Sequence, residues 1–196
     1  MIPFIHYNIK VLNIFNDKII NNNKDELVHY YQKYRKIIIM NENHFYNACS
    51  HCNLDNVRFI YKHLQNTYVD FKQALFHCIE QENEDVFRWL ITKCTFERES
   101  MLGFLIYCII QKNSFMFKII HTYFNKPLSE NNNELLKLAL KKGNLELSTY
   151  IFNQLNYTLN ARSLIYFKYA CYSNNPNVIH FINSKYAKAA KIERRV

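Results

Sequence analysis

Glycine and proline are scarce in this chain, which has two glycines and three prolines among 196 residues. With glycine only at Gly103 and Gly143, the sequence contains no phosphate-binding P-loop, no dinucleotide-binding fingerprint and no glycine-flanked nucleophilic serine. Eight histidines are present, but none forms the His-Glu-x-x-His pattern of a helical zinc site. We therefore expect a protein without enzymatic activity and without a cofactor.

Long apolar runs are also missing. No stretch approaches the roughly 18 apolar residues that a membrane-spanning helix needs. His6, Asn8 and Lys10 interrupt the apolar N-terminal residues before the core of a signal peptide could form. These features predict a soluble intracellular protein in the cytoplasm, with no membrane partner.

Asparagine, in contrast, is abundant, and six of the 26 asparagines recur at intervals of 30, 30, 30, 31 and 31 residues. We call them the ladder asparagines: Asn23, Asn53, Asn83, Asn113, Asn144 and Asn175. A fixed period of this length is typical of a protein built from one repeated unit. Positions within a unit are numbered below from its ladder asparagine.

The residues around the ladder asparagines repeat with them. From the second unit on, position −5 holds a small residue: Ala48, Cys78, Cys108, Ala139 and Ala170. In the same units position −8 holds a large apolar residue: Phe45, Leu75, Leu105, Leu136 and Phe167. Position +4 is apolar except at Ser148, and its apolar residues are Leu27, Val57, Phe87, Phe117 and Ile179. Position +7 is apolar in all six units: Tyr30, Ile60, Leu90, Ile120, Ile151 and Ile182. Since residues three or four apart share one face of a helix, each unit is predicted to be two helices joined by a turn.

The ladder asparagine is predicted to cap the second helix of each unit. Asparagine is a preferred N-cap, and it tolerates the backbone of a tight turn. An acidic residue stands two positions later in four units, where it favours the helix dipole: Asp25, Asp55, Asp85 and Glu146. Pro176 directly follows Asn175, as expected at the first position of a helix.

Two stretches carry a resemblance to a known family. Residues 48–60, Ala-Cys-Ser-His-Cys-Asn-Leu-Asp-Asn-Val-Arg-Phe-Ile, and residues 138–147, Leu-Ala-Leu-Lys-Lys-Gly-Asn-Leu-Glu-Leu, resemble the centre of an ankyrin repeat. The Thr-Pro-Leu-His opening of that repeat is absent, the turn glycine survives only at Gly143, and the period is shorter than the usual 33 residues or so. Residues 65–70 and 125–131 are therefore predicted to be plain loops rather than β-hairpins.

The resemblance implies an all-α solenoid of about six ankyrin-like helix-turn-helix repeats. We expect a single domain over residues 1–196, with units at about 8–38, 39–68, 69–98, 99–129, 130–160 and 161–190. The first helix is predicted over residues 8–20, in a capping unit that has Lys18 in place of the small residue.

Glycine-poor repeats of this kind are similar in style to the multigene-family and ankyrin proteins of large cytoplasmic DNA viruses, such as African swine fever virus and the poxviruses. The heavy use of Asn, Lys, Ile, Tyr and Phe is expected of an AT-rich genome. This resemblance implies a non-enzymatic interaction protein that modulates host range or innate immunity by binding a host protein through its concave face.

The six cysteines are expected to be reduced packing residues, because Cys78 and Cys108 occupy the small-residue position. Cys49, His51 and Cys52, with His77 and Cys78, offer a zinc site as the alternative. The repeat already accounts for these cysteines, so no metal is predicted.

The net charge of +9 allows two further interpretations. The C-terminal extension, residues 185–196, carries five cations and one anion. It is either a solvated end of the last helix or a basic arm for nucleic acid, an acidic partner or a nuclear import receptor. A nucleic-acid-associated protein and a structural, self-associating solenoid are the alternatives to the interaction module, for which a monomer is expected.

The first helix of each unit is predicted to line the binding face. Residues of these helices outside the repeated apolar positions are the candidate partner-binding residues: Asn47, Ser50, His51, His77, Glu80, Gln81, Tyr107, Ile110, Gln111, Lys141, Lys142, Tyr169 and Tyr172. Ile110 is apolar where neighbouring units carry Ser50, Glu80, Lys141 and Tyr172. It is either an anchor for the partner or a core residue.

Overall fold

The helices follow the predicted 30-residue period. The computed structural model describes residues 2–64, 68–95, 97–124, 132–154 and 164–193. The contacts divide the chain into two compact units, residues 1–96 and residues 97–196. The described residues contain α-helices and turns but no β-strand, so the all-α prediction is confirmed.

Each of these two compact units contains three of the predicted helix pairs, and from here on the first unit means residues 1–96 and the second unit residues 97–196. In the first unit these are α1 (Ile2–Ile20) with α2 (Lys24–Tyr34), α3 (Glu42–His51) with α4 (Leu54–His63), and α5 (Phe71–Glu80) with α6 (Glu84–Ile91). In the second they are α7 (Arg98–Ile110) with α8 (Ser114–Phe124), α9 (Asn132–Lys141) with α10 (Leu145–Gln154), and α11 (Ile165–Cys171) with α12 (Pro176–Glu193). The first helices of a unit pack side by side, α3 between α1 and α5, and α9 between α7 and α11.

Two boundaries are of note. Helix α1 begins at Ile2 rather than near residue 8, because Pro3 falls in the first turn, where its missing N–H breaks no bond within the helix. The predicted loops at 65–70 and 125–131 lie largely outside the described residues. Only 68–70 are described, and they have no regular secondary structure.

The repeated apolar positions form the core of each unit. Val57, Phe87 and Phe117 at position +4 and Ile60 and Leu90 at position +7 are completely buried. Position −5 is completely buried from the second helix pair on, at Ala48, Cys78, Cys108, Ala139 and Ala170. A small side chain at this position allows close packing of the helices, as predicted from the sequence.

Ser148, the exception at position +4, is also completely buried. Its hydroxyl donates a hydrogen bond of 2.7 Å to the carbonyl of Asn144, one turn earlier in the helix. A buried hydroxyl that is hydrogen-bonded in this way avoids the cost of an unsatisfied polar group. The serine is therefore compatible with the core although it breaks the apolar pattern.

The ladder asparagines lie directly before the second helices. The side-chain oxygen of Asn53 accepts the N–H of Asn56 at 3.0 Å, and that of Asn113 accepts the N–H of Met116 at 2.9 Å. Equivalent bonds are made by Asn23, Asn144 and Asn175. The N-cap prediction is thus confirmed at five of the six, and Asn83 makes no such bond.

Candidate interaction surface

The turns that carry the candidate residues have a common backbone geometry. Position −1 is left-handed in five turns: Asn22, Glu82, Lys112, Gly143 and Asn174 have φ of 58°, 56°, 57°, 70° and 51°. The chain therefore keeps the turn of a glycine-containing repeat although only one of these residues is glycine. Since left-handed backbone costs an L-residue about 1–2 kcal/mol, strain remains in the four turns that have a charged residue or asparagine at this position, and glycine relieves it in one.

Cys52 is the exception at this position. Its φ is −102°, and its side chain is buried with the thiol 2.8 Å from the carbonyl oxygen of Ile19. Burial raises the pKa of this thiol to about 12. In this helix pair, position −1 therefore has an extended backbone and a buried side chain instead of a left-handed backbone.

The side-chain amides of three ladder asparagines link neighbouring turns. The amide of Asn83 donates to the carbonyls of Cys49 and Cys52, at 3.2 Å and 2.8 Å. Those of Asn144 and Asn175 donate to the carbonyls of Lys112 and Gly143, at 3.4 Å and 2.8 Å. We call these bonds the turn links. One residue type thus starts the second helix and joins its turn to the preceding one, a role that the sequence pattern did not reveal.

The candidate partner-binding residues all lie on first helices or in the turns after them, and none is buried. Asn47, His51, Glu80, Gln81, Ile110, Gln111, Lys141, Lys142 and Tyr172 are exposed, and Ser50, His77, Tyr107 and Tyr169 are partly exposed. Ile110 is 45 % exposed, so the alternative that it belongs to the core is wrong. Whether these residues bind a partner stays a prediction.

Some of these residues interact with one another. His77 lies 3.8 Å from the carboxylate of Glu80 and stacks on the ring of Tyr46, with the ring centres 5.6 Å apart. The rings of Tyr169 and Tyr172 meet edge to face at 6.1 Å. These contacts restrain the side chains, so they present a more ordered surface than isolated exposed residues would.

Position −7 of the first helices also contributes to this surface, although the sequence pattern did not reveal it. It lies one turn before position −3, and residues four apart adjoin on a helix surface. In the second unit it holds Ile106, Lys137 and Lys168, all of them at least partly exposed. The spacing from Ile110, Lys141 and Tyr172 was the signal that would have identified them.

The cysteines of the alternative zinc site are packed in the core. Cys49, Cys52 and Cys78 are buried, and burial raises the pKa of the Cys49 thiol. His51, in contrast, is exposed. Within the described ranges, no group of three or more His, Cys, Asp or Glu is placed to hold a metal ion.

A cavity of about 980 Å³ opens in the first unit beside α4 and α5. Its lining includes Tyr61, Lys62, Asp70, Phe71 and Cys94. The carboxylate of Asp70 caps α5 by accepting the N–H of Lys72 at 2.8 Å, and burial raises the pKa of the Cys94 thiol to about 11. Tyr61 and Phe71 pack against each other with their ring centres 6.1 Å apart, so these two aromatic lining residues have a structural contact.

The positive charge is concentrated in one half of the chain. Residues 97–196 carry 14 lysines and arginines against six acidic residues, whereas residues 1–96 carry 11 against ten. The second unit therefore contributes +8 of the net +9. The C-terminal extension contributes to this charge, and its Lys185 packs over the ring of Phe152, 4.7 Å from the ring centre.

No protein-family profile, curated protein or solved structure matches this chain. Within the part of the chain that the structure describes, no helix combines the length and apolar character needed to cross a lipid bilayer.

Proposed function

We propose that this chain is a non-enzymatic protein–protein interaction module of ankyrin-like repeats, and that the first helices of its repeats bind the partner. The observation that carries the proposal is the contrast between two sets of positions. The repeated positions build the core and the turn links, while positions −6 and −3 of the first helices vary and stay at least partly exposed. Repeat proteins bind through variable surface positions on a constant framework.

The wider role follows from the resemblance of the repeats. In this proposal the repeats form one solenoid with a concave binding face, and the partner is a host protein of a large cytoplasmic DNA virus. Host-range or immune modulation would be the consequence of that binding. A nucleic-acid-associated role is the second candidate, favoured by the net charge of +8 in the second unit.

Affinity capture from cells tests the proposed function. We expect Ile110→Glu and His51→Ala each to lose one or more of the proteins retained by the unmodified chain. The matched controls are Ile39→Glu and His29→Ala, because both residues are exposed but lie outside the first helices. If the retained proteins are the same for all four variants, the first helices are not the binding face.

A further inference from the structure

Positions −7 and −3 of the first helices in the second unit form one continuous surface. They hold Ile106 and Ile110 on α7, Lys137 and Lys141 on α9, and Lys168 and Tyr172 on α11. Helix α9 packs between the other two, so the six residues run from an apolar edge to a cationic centre and then to a lysine beside a tyrosine. We call this surface the lysine face.

Two of the three lysines are held against aromatic rings. The ammonium of Lys137 lies 6.0 Å from the ring centre of Tyr169, and that of Lys168 lies 6.0 Å from the ring centre of Tyr172. Such contacts restrain long side chains, which lowers the entropy that they lose when a ligand binds. The lysine face is therefore partly organised before a ligand arrives.

The charges around the lysine face are mostly positive. Glu134 is the acidic neighbour, and its carboxylate lies 2.7 Å from the ammonium of Lys137. Lys141 is exposed at the centre, and Lys142 follows it in the turn. Among the residues that the structure describes, one carboxylate beside four lysines, including Lys168, leaves an excess of positive charge that fits an anionic ligand.

The first unit has no equivalent of this surface. Its corresponding positions hold Asn16 and Ile20 on α1, Tyr46 and Ser50 on α3, and Phe76 and Glu80 on α5, with no lysine or arginine among them. Tyr46 is buried, and its hydroxyl accepts the N–H of Asp70 at 3.1 Å. The lysine face is therefore a property of the second unit rather than of the repeat pattern.

We propose that the lysine face binds an extended acidic segment of the partner protein. The proposal rests on the proposed function and names the chemistry of the partner. Packed helices lie about 8–10 Å apart, which a peptide in the polyproline II conformation spans in one turn of about three residues, so that residues three apart face the same side. The segment would place an apolar residue against Ile106 and Ile110, and carboxylates about three and six residues away, over α9 and α11. The apolar edge favours a peptide over a nucleic acid, whose phosphates would match the lysines but not the isoleucines.

The first test is selection of peptides from a random nine-residue library displayed on phage, with the full chain as bait and counter-selection on Lys141→Glu. We expect enriched peptides with acidic residues about three apart and an apolar residue at the same spacing. No enrichment, or enrichment without acidic residues, would refute the proposal.

The second test is titration of an enriched synthetic peptide against matched variants. Lys141→Glu is expected to weaken binding about tenfold or more, because it places a like charge against the ligand. Lys188→Glu makes the same change in charge at an exposed site on α12 and is expected to change affinity less than about twofold. Equal effects of the two variants would show a non-specific charge effect and refute the lysine face.

The third test separates a nucleic acid from a peptide. A single-stranded RNA of mixed sequence is titrated against the same variants at two salt concentrations. Tighter binding of RNA than of the peptide, with steep dependence on salt and loss in Lys141→Glu, would assign the surface to nucleic acid instead. If the lysine face fails these tests while His51→Ala still alters the captured proteins, only the partner chemistry is wrong and the proposed function stands.

Discussion

Replacement of Lys112 by glycine is expected to stabilise the second unit. Lys112 is exposed, and its φ is 57°, in the left-handed region that costs an L-residue about 1–2 kcal/mol. Both of its backbone hydrogen bonds are retained by glycine: its N–H donates to Ile109 at 3.2 Å, and its carbonyl accepts the amide of Asn144 at 3.4 Å. The cost of the added freedom in the unfolded chain is about 0.4–1 kcal/mol.

The difference between the middles of these two ranges is a net gain of about 0.8 kcal/mol in the free energy of unfolding, or about 2–3 °C in Tm for a chain of this size. Urea denaturation followed by circular dichroism at 222 nm measures the gain. The fluorescence of Trp89, the single tryptophan, reports on the first unit in the same samples. The urea concentration at the midpoint of its transition should be the same for Lys112→Gly and the unmodified chain.

The matched control is Gln111→Gly in the same turn. Gln111 has a φ of −77° and a ψ of −3°, so glycine relieves no strain there and is expected to destabilise by about 0.5–1 kcal/mol. Gly143→Ala makes the reverse change, because it places a side chain on a residue whose φ is 70° and puts the new Cβ 3.3 Å from the Cβ of Ser173. It is therefore expected to destabilise the second unit. If Lys112→Gly is no more stable than Gln111→Gly, backbone strain does not govern these turns.

Three further changes test other parts of the structure. Asn83→Asp removes both amide donors of its turn link and is expected to cost about 1–3 kcal/mol on chemical denaturation, whereas equal stability would show that the link contributes nothing. Burial lowers the pKa of His44, whose Nδ1 accepts the N–H of Asn41 at 3.3 Å. Its contribution is therefore complete above the ordinary histidine pKa of about 6.5 and is lost as the pH falls through the lowered value, so His44→Gln should flatten the decline of Tm between about pH 7 and 5. An unchanged slope would contradict this assignment. Gly103→Ala is expected to stabilise helix α7 by about 0.5–1 kcal/mol in the same denaturation assay, because no atom lies within 4 Å of the added Cβ, and a loss would show that the helix needs glycine there.

The helices and the core could be predicted because they depend on periodic positions. The ladder asparagines located all six turns, and position +4 located Val57 and Phe87 in the core. Position +3 was not recognised as a core position, although Val86 and Met116 are completely buried there. Glu26 and Asn56 occupy the same position in the first two repeats, and these two polar residues were enough to hide the pattern.

The turn links and the lysine face could not be predicted in the same way. A turn link joins a side chain to a backbone carbonyl, and a carbonyl leaves no trace in the sequence. The lysine face depends on three adjacent helices with different side chains at equivalent positions, whereas a search for repeats finds only what is shared. His44 shows a further limit, because histidine is usually only partly buried in proteins, whereas this one is only 7 % exposed.

The turn links also bear on how such a chain can grow. Their acceptors are the backbone carbonyls of Cys49, Cys52, Lys112 and Gly143, residues that have little in common chemically. A duplicated helix pair therefore brings the asparagine that it needs and finds an acceptor already present in whatever precedes it. Duplication can lengthen the chain without compensating substitutions in the older copy, which leaves the surface of each copy open to diverge toward a different partner.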